Sequence, residues 1–342
     1  MSKLKFSLQP ETGTLSDKDA KKYFSAIGWA VFAFMLVYWV SSFAIGYVLS
    51  LFAPWIWENA WLSEVVSIVP LYGIAFPIFY ILISRLPKDP LPSEHLGFKN
   101  FFGGLCVAFT LMSAGNYIGN FLILIFESIS GRSLANPVQS MTEGNAWWIN
   151  LIFMAIIPPI LEEIVFRKIL CGRLLPLGEG YTVIISGAIF GLVHGNFFQF
   201  FYAFFVGALF ALIYIKTGKI IYTIIYHMIL NVLGGVFAAW MLEKLDLEGL
   251  MAVMESGDIA ALEAFVISHL LPILMFLAYE MIFFGFTVGG IVFLIVGRKK
   301  IRFRAGLLPP PKEGRAMLVF GNVGIAAAIT LFAAIFVLSL VV

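Results

Sequence analysis

Long runs free of Asp, Glu, Lys and Arg dominate the chain and set its architecture. They cover 23–57, 65–84, 100–126, 144–161, 180–215 and 220–242, then 264–279 continuing past Glu280 to 297, and finally 316–342. About 20 apolar residues cross the hydrocarbon core as a helix, so each run is read as one span, with one exception. The run 180–215 is too long, and the turn dipeptide Gly195-Asn196 near its middle divides it into two helices. The pattern predicts an all-α fold: a polytopic transmembrane helical bundle of about eight to nine membrane segments. Residues 1–24 read as a polar cytoplasmic tail and 25–342 as a single membrane domain. The tail is Lys-rich and no small-residue cleavage site follows it, so the first run is expected to anchor the chain rather than be removed.

Composition removes the soluble alternatives. The chain is 61% hydrophobic and 12% charged, against about 25% charged in an ordinary globular protein. A net charge of +2, with no basic stripe away from the membrane flanks, argues against a nucleic-acid partner. Cys106 and Cys171 are the only cysteines, so neither a disulfide framework nor a thiolate metal cluster is expected. Charge also orients the bundle. With the N-terminus in the cytoplasm, every one of the 22 Lys and Arg except Arg132 and Lys244 falls in the inner set, as the positive-inside rule requires. The C-terminus is then outside. No internal repeat marks a transporter.

Ionisable side chains inside a bilayer cost roughly 2.5–3.5 kcal/mol each on insertion scales, so Glu162, Glu163, His194 and His227 need a reason. Glu163 and Arg167 are i and i+4 on one helical face and should pair. Glu162 sits about 100° away and is freer to do chemistry. His227 and Asn231 repeat the i, i+4 spacing on another helix. From the cytoplasmic helix ends, Glu162 lies about 16 Å deep, His194 about 20 Å and His227 about 12 Å. Two carboxylates, two imidazoles and an amide at similar depth on separate segments have the form of a water-activating hydrolytic site. The bland readings are a structural salt bridge and hydrogen bonds between helices. Glu280 and His269 are about 16 Å apart on one helix and cannot meet. Asn116 and Asn120 read as helix-packing donors.

The ordered set Glu162-Glu163-x-x-x-Arg167, Phe190-x-x-x-His194 and His227-x-x-x-Asn231 resembles the CPBP family, also called Abi, of CAAX- and bacteriocin-processing intramembrane endopeptidases. That family includes the type II CAAX prenyl endopeptidases. The resemblance covers about 147–240, the expected catalytic core, and includes the stretch from Gly207 to Gly218. It implies a glutamic protease in which Glu162 is the general base and His194 holds the attacking water. His227 and Asn231 would stabilise the oxyanion, Arg167 would orient Glu163, and Phe190 would support the site. No cofactor is implied. The alternative is Zn²⁺ held by Glu162, His194 and His227, although no His-Glu-x-x-His motif is present. The implied partners are the lipid bilayer and a peptide or protein substrate, prenylated or not. The implied location is a prokaryotic plasma membrane, with the active site toward the cytoplasmic side. Competing functions are a non-catalytic immunity or scaffold protein of the same fold and a proton-coupled transporter. Lys168, directly after the motif arginine, departs from the small residue common there.

The charge asymmetry makes a prediction. Single cysteines in the 244–263 loop should react with a membrane-impermeant maleimide added to intact cells, while cysteines at 298–304 should not. Labelling of the second set alone reverses the orientation.

Overall fold

The apolar runs fold as helices, and only helices, because within a bilayer each backbone N–H and C=O must be satisfied inside its own segment. The computed structural model describes residues 3–142, 144–298 and 301–341. Lys299 and Lys300 of the charge asymmetry, and Val342 at the end of the last expected span, lie outside the described residues. Among the described residues, seven helices are long and apolar enough to cross a membrane: α1 (Asp17–Phe52), α2 (Ala60–Ile83), α3 (Phe98–Ser130), α4 (Trp147–Leu177), α6 (Phe197–Thr217), α7 (Ile220–Ser256) and α9 (Leu270–Gly297). Three apolar helices are shorter: α5 (Glu179–Val193), α8 (Ile259–Ser268) and α10 (Val323–Leu338). The protein is an all-α integral membrane bundle, with an isolated Leu8–Leu15 bridge as the one β pairing among the described residues.

Three expectations change in detail. The spans expected at the start of 180–215 and in 316–342 are helices of 15 and 16 residues. At 1.5 Å per residue they are about 22 and 24 Å long, short of a core of about 30 Å. The run beginning at 264 breaks at His269, so its first residues belong to α8. Pro272 explains the break, because a proline fits the first turn of a new helix and disrupts the middle of an old one. The division at Gly195-Asn196 stands. Gly195 takes φ +69°, and the Asn196 side chain caps α6 by accepting from the Gln199 amide at 3.0 Å.

One end of the bundle gathers the cationic loops. The Lys216 ammonium meets Glu179 at 2.6 Å, and Glu179 also accepts from the Arg304 amide at 2.8 Å. The Leu4 amide bonds the Arg85 carbonyl, and the Leu15 amide bonds the Pro309 carbonyl, both at 2.9 Å. The N-terminal segment and the loops after α2, α4, α6 and α9 therefore share one end. Small residues draw the helices together elsewhere. A Cβ on Gly28 of α1 would fall inside the backbone of Gly324 at the start of α10, and a Cβ on Gly324 inside that of Ser25. Gly187 and Gly191 let α5 lie against Phe200, Phe204 and Ala208 of α6 in the same way.

The α1–α10 approach is directly testable. Gly28→Leu forces two backbones apart and should cost about 1–3 kcal/mol, the range for overpacking. Thermal unfolding in detergent should show a lowered midpoint, whereas Gly46→Leu, with no atom near its Cβ position, should not.

Candidate active site

The site is built around a break in α4. Neither Pro158 nor Pro159 carries an N–H. The Met154 carbonyl is therefore left without a backbone donor at either i+4 or i+5. Asn231 of α7 reaches across and donates its Nδ2–H to that carbonyl at 2.9 Å. On both sides of the prolines the α4 ladder widens to π turns, over Leu151–Ile156 and Ile164–Cys171. Two further π segments, Val69–Ala75 in α2 and Val232–Phe237 in α7, face the same region. Extra residues of this kind re-aim side chains and collect at functional sites.

Just past the prolines, Glu163 and Arg167 pair as their spacing predicts. Arg167 Nε lies 2.9 Å from Glu163 Oε2, with both side chains wholly buried. The contact is coulombic rather than an aligned hydrogen bond, and Arg167 Nη2 has no hydrogen-bond partner. The guanidinium lies instead over the Phe190 ring, with Cζ 4.6 Å from its centroid, a cation–π contact strengthened by the absence of water. The same ring stands edge-on to both imidazoles, at 5.1 Å from His194 and 5.7 Å from His227. Phe190 thus joins the arginine to the two histidines.

The hydrogen bonds fix both histidine tautomers. His194 Nδ1 is 2.8 Å from the Phe190 carbonyl, which can only accept. His227 Nδ1 is 3.2 Å from Oε1 of Glu163, whose charge is compensated by Arg167. Each neutral ring therefore carries its proton on Nδ1 and presents a bare Nε2 lone pair. His227 Nε2 lies 3.9 Å from Glu162 Oε2. The other oxygen of Glu162 accepts from the Tyr72 hydroxyl at 3.2 Å. Tyr72, Glu162, His194, His227 and Asn231 line a cavity of about 870 Å³, while Glu163 stands behind its wall.

The cavity runs in an unexpected direction. Its lining passes from Phe76, Phe166 and His227 at the floor to Glu64, Asn136 and Leu242, at the end of the bundle away from the cationic loops. Toward the cationic end the space is filled by a core that includes Tyr23, Phe24, Leu170 and Leu174. Asn116 and Asn120, read from sequence as packing donors, line this cavity instead, and so does Glu280. Among the described residues no three His, Cys, Asp or Glu side chains are grouped so as to hold a metal ion.

Sequence reasoning missed Tyr72, whose helix carries none of the three motifs. It also missed the Met154 carbonyl, although Pro158-Pro159 inside an apolar run is a readable sign of an unpaired acceptor.

The protein is thus a polytopic membrane bundle in which a buried glutamate–arginine–histidine cluster, a second carboxylate and a second imidazole stand about one cavity. Residues 144–233 match the family described as type II CAAX prenyl endopeptidase, Rce1-like. A Bacillus subtilis protein, YdiL, named as a candidate membrane peptidase, is 32% identical over 166 residues, covering 46% of this chain and 66% of that protein. The membrane-embedded CAAX protease MroQ of Staphylococcus aureus is 37% identical over 91 residues, 24% of this chain and 36% of MroQ. The chain thus spans just under two thirds of the first relative and about a third of the second. No solved structure matches it.

The two glutamates should separate in a stability measurement. Glu163→Gln leaves Arg167 buried without its counter-charge, a loss of about 3–5 kcal/mol for a broken buried pair. Glu162→Gln leaves no unpaired cation. Unfolding midpoints in one detergent should fall markedly for the first and stay level or rise for the second; the reverse order exchanges their roles.

Proposed function

We propose that the protein is an intramembrane endopeptidase that hydrolyses a peptide bond of a membrane-associated peptide or protein with water activated by Glu162. The observation that carries this reading is the convergence of the Glu162 carboxylate and two bare imidazole nitrogens on one cavity. A water there can donate one proton to Glu162 and the other to His194 Nε2, leaving its lone pair free to attack a carbonyl carbon. Such placement of base and nucleophile is worth about 10²–10⁴-fold in rate.

The fixed tautomers refine the roles implied by the resemblance. Neutral His227 has no Nε2 proton to offer an oxyanion. It acquires one when Glu162, having taken the proton from water, passes it across the 3.9 Å separation. The resulting imidazolium is held by Glu163 through Nδ1 and then donates to the oxyanion or to the leaving amine as the C–N bond breaks. Asn231 has one amide proton committed to Met154, and its second remains for the oxyanion. Preorganised donors of this kind need no rearrangement as charge develops. No step passes through a metal.

That both relatives are bacterial supports a prokaryotic plasma membrane as the location, and a prenylated tail and an unmodified peptide precursor both suit the chemistry. The cavity opens away from the cationic loops, and the charge asymmetry puts those loops in the cytoplasm. We therefore assign the entrance to the outer side, with the reacting groups deep in the membrane, in place of the cytoplasmic access implied by sequence. Residues 244–263, the end of α7 and the start of α8, lie at the entrance end, so the labelling experiment above decides this point too.

With purified protein and a cleaved substrate, Glu162→Ala and His194→Ala should each lower kcat by about 10²–10⁴-fold while the protein stays folded. Prolonged chelation should leave the wild-type rate unchanged. Full activity in either variant removes that residue from the mechanism, and activity lost to chelator and restored by Zn²⁺ alone overturns the metal-free route.

A further inference from the structure

We infer that Tyr72 is a positioning residue for the general base, and this rests on the proteolytic reading of Glu162. Tyr72 lies on α2, outside the 144–233 stretch that matches the family. Its hydroxyl is 3.2 Å from Glu162 Oε1. Toward an ionised carboxylate a phenol can only donate. The bond occupies one oxygen of Glu162 and leaves Oε2 on the side of His227, 3.9 Å from Nε2. A carboxylate on a helix otherwise rotates among several orientations, and the bond to Tyr72 holds the one in which Oε2 is on the side of His227.

The local backbone is shaped for this contact. Tyr72 falls in the π turn Val69–Ala75, between Pro70 and Gly73. Pro70 cannot donate into the ladder, and the widened turn rotates the ring toward α4. The ring is then held edge-on by Phe76, 5.0 Å away at 84°. Phe76 in turn meets Phe166 of α4 at 6.3 Å and 89°. An aromatic chain thus fixes the distance between the phenol and the helix that carries Glu162. The contact also has an electrostatic effect: a hydrogen bond donated to the charged form favours that form.

The test needs no substrate. Infrared pH titration of the purified full chain in detergent gives a carboxyl band assignable to Glu162 by its absence in Glu162→Gln. In Tyr72→Phe, which removes only the hydroxyl, the titration midpoint of that band should move up by about 1–2 pH units, the worth of one hydrogen bond to a charged group. Replacement of Tyr72 by 3-fluorotyrosine, whose phenol is the stronger donor, should move it down. A midpoint unmoved in both proteins overturns the assignment, as does the same direction of shift in both. Should Tyr72→Phe fail to fold, the fluorinated protein decides alone, by a downward shift or its absence. The proteolytic reading stands or falls separately, on cleavage by Glu162→Ala.

Discussion

A wholly buried ion pair, Glu163 with Arg167, is the contact on which the site depends. Two charges taken out of water gain little net stability from each other, so the pair is better understood by what it holds. Glu163 carries charge on both its oxygens, and one of them fixes the proton of His227. Arg167 supplies the compensating charge and presses its flat face against Phe190, which in turn borders both imidazoles. Three helices, α4, α5 and α7, are registered against one another by this cluster. Moving any of them would strand a charge in an apolar interior.

The prolines of α4 impose a complementary constraint on the backbone. Pro158 and Pro159 free the Met154 carbonyl, and Asn231 answers it from α7. Asn231 is thus tied into the fold by the same amide group to which the proposed mechanism assigns the oxyanion. Four π segments surround the cavity, each a departure from the regular ladder. Regular helices pack side chain to side chain and close such spaces. Here the widened turns keep the space open and direct Tyr72, Met154, Phe166 and Gly234 toward it.

Much of this was legible in the sequence, for physical reasons that can be named. Apolar runs mark membrane helices because the bilayer leaves no alternative, and Gly195-Asn196 marked the turn because glycine tolerates positive φ. The spacing of Glu163 and Arg167 sufficed for their pairing, since i and i+4 meet on any helix. What stayed hidden were relations between helices. Tyr72 lies 90 positions from its partner, and nothing in the residues near it points to Glu162. The direction of the cavity depends on which end of the bundle is packed solid, a property of Tyr23, Phe24, Leu170 and Leu174 together. The tautomers of the histidines depend on a carbonyl and a carboxylate whose positions only the fold supplies.

The shortness of α5 has a consequence for water supply. Its 15 residues end short of the far side of the bilayer and leave the turn at His194, Gly195 and Asn196 within the membrane, where backbone outside a regular helix is tolerated only if it borders protein or a wet cavity. Part of the turn is satisfied internally, by the Gly195 amide to the Leu192 carbonyl at 3.0 Å and Asn196 Nδ2 to the His194 carbonyl at 2.8 Å. The polar groups that remain favour a hydrated dip in the membrane beside His194. Hydrolysis consumes one water per bond cut, and a bilayer interior is nearly dry. The truncated helix would act as a well, keeping the second reactant at hand while the surrounding lipid excludes bulk solvent.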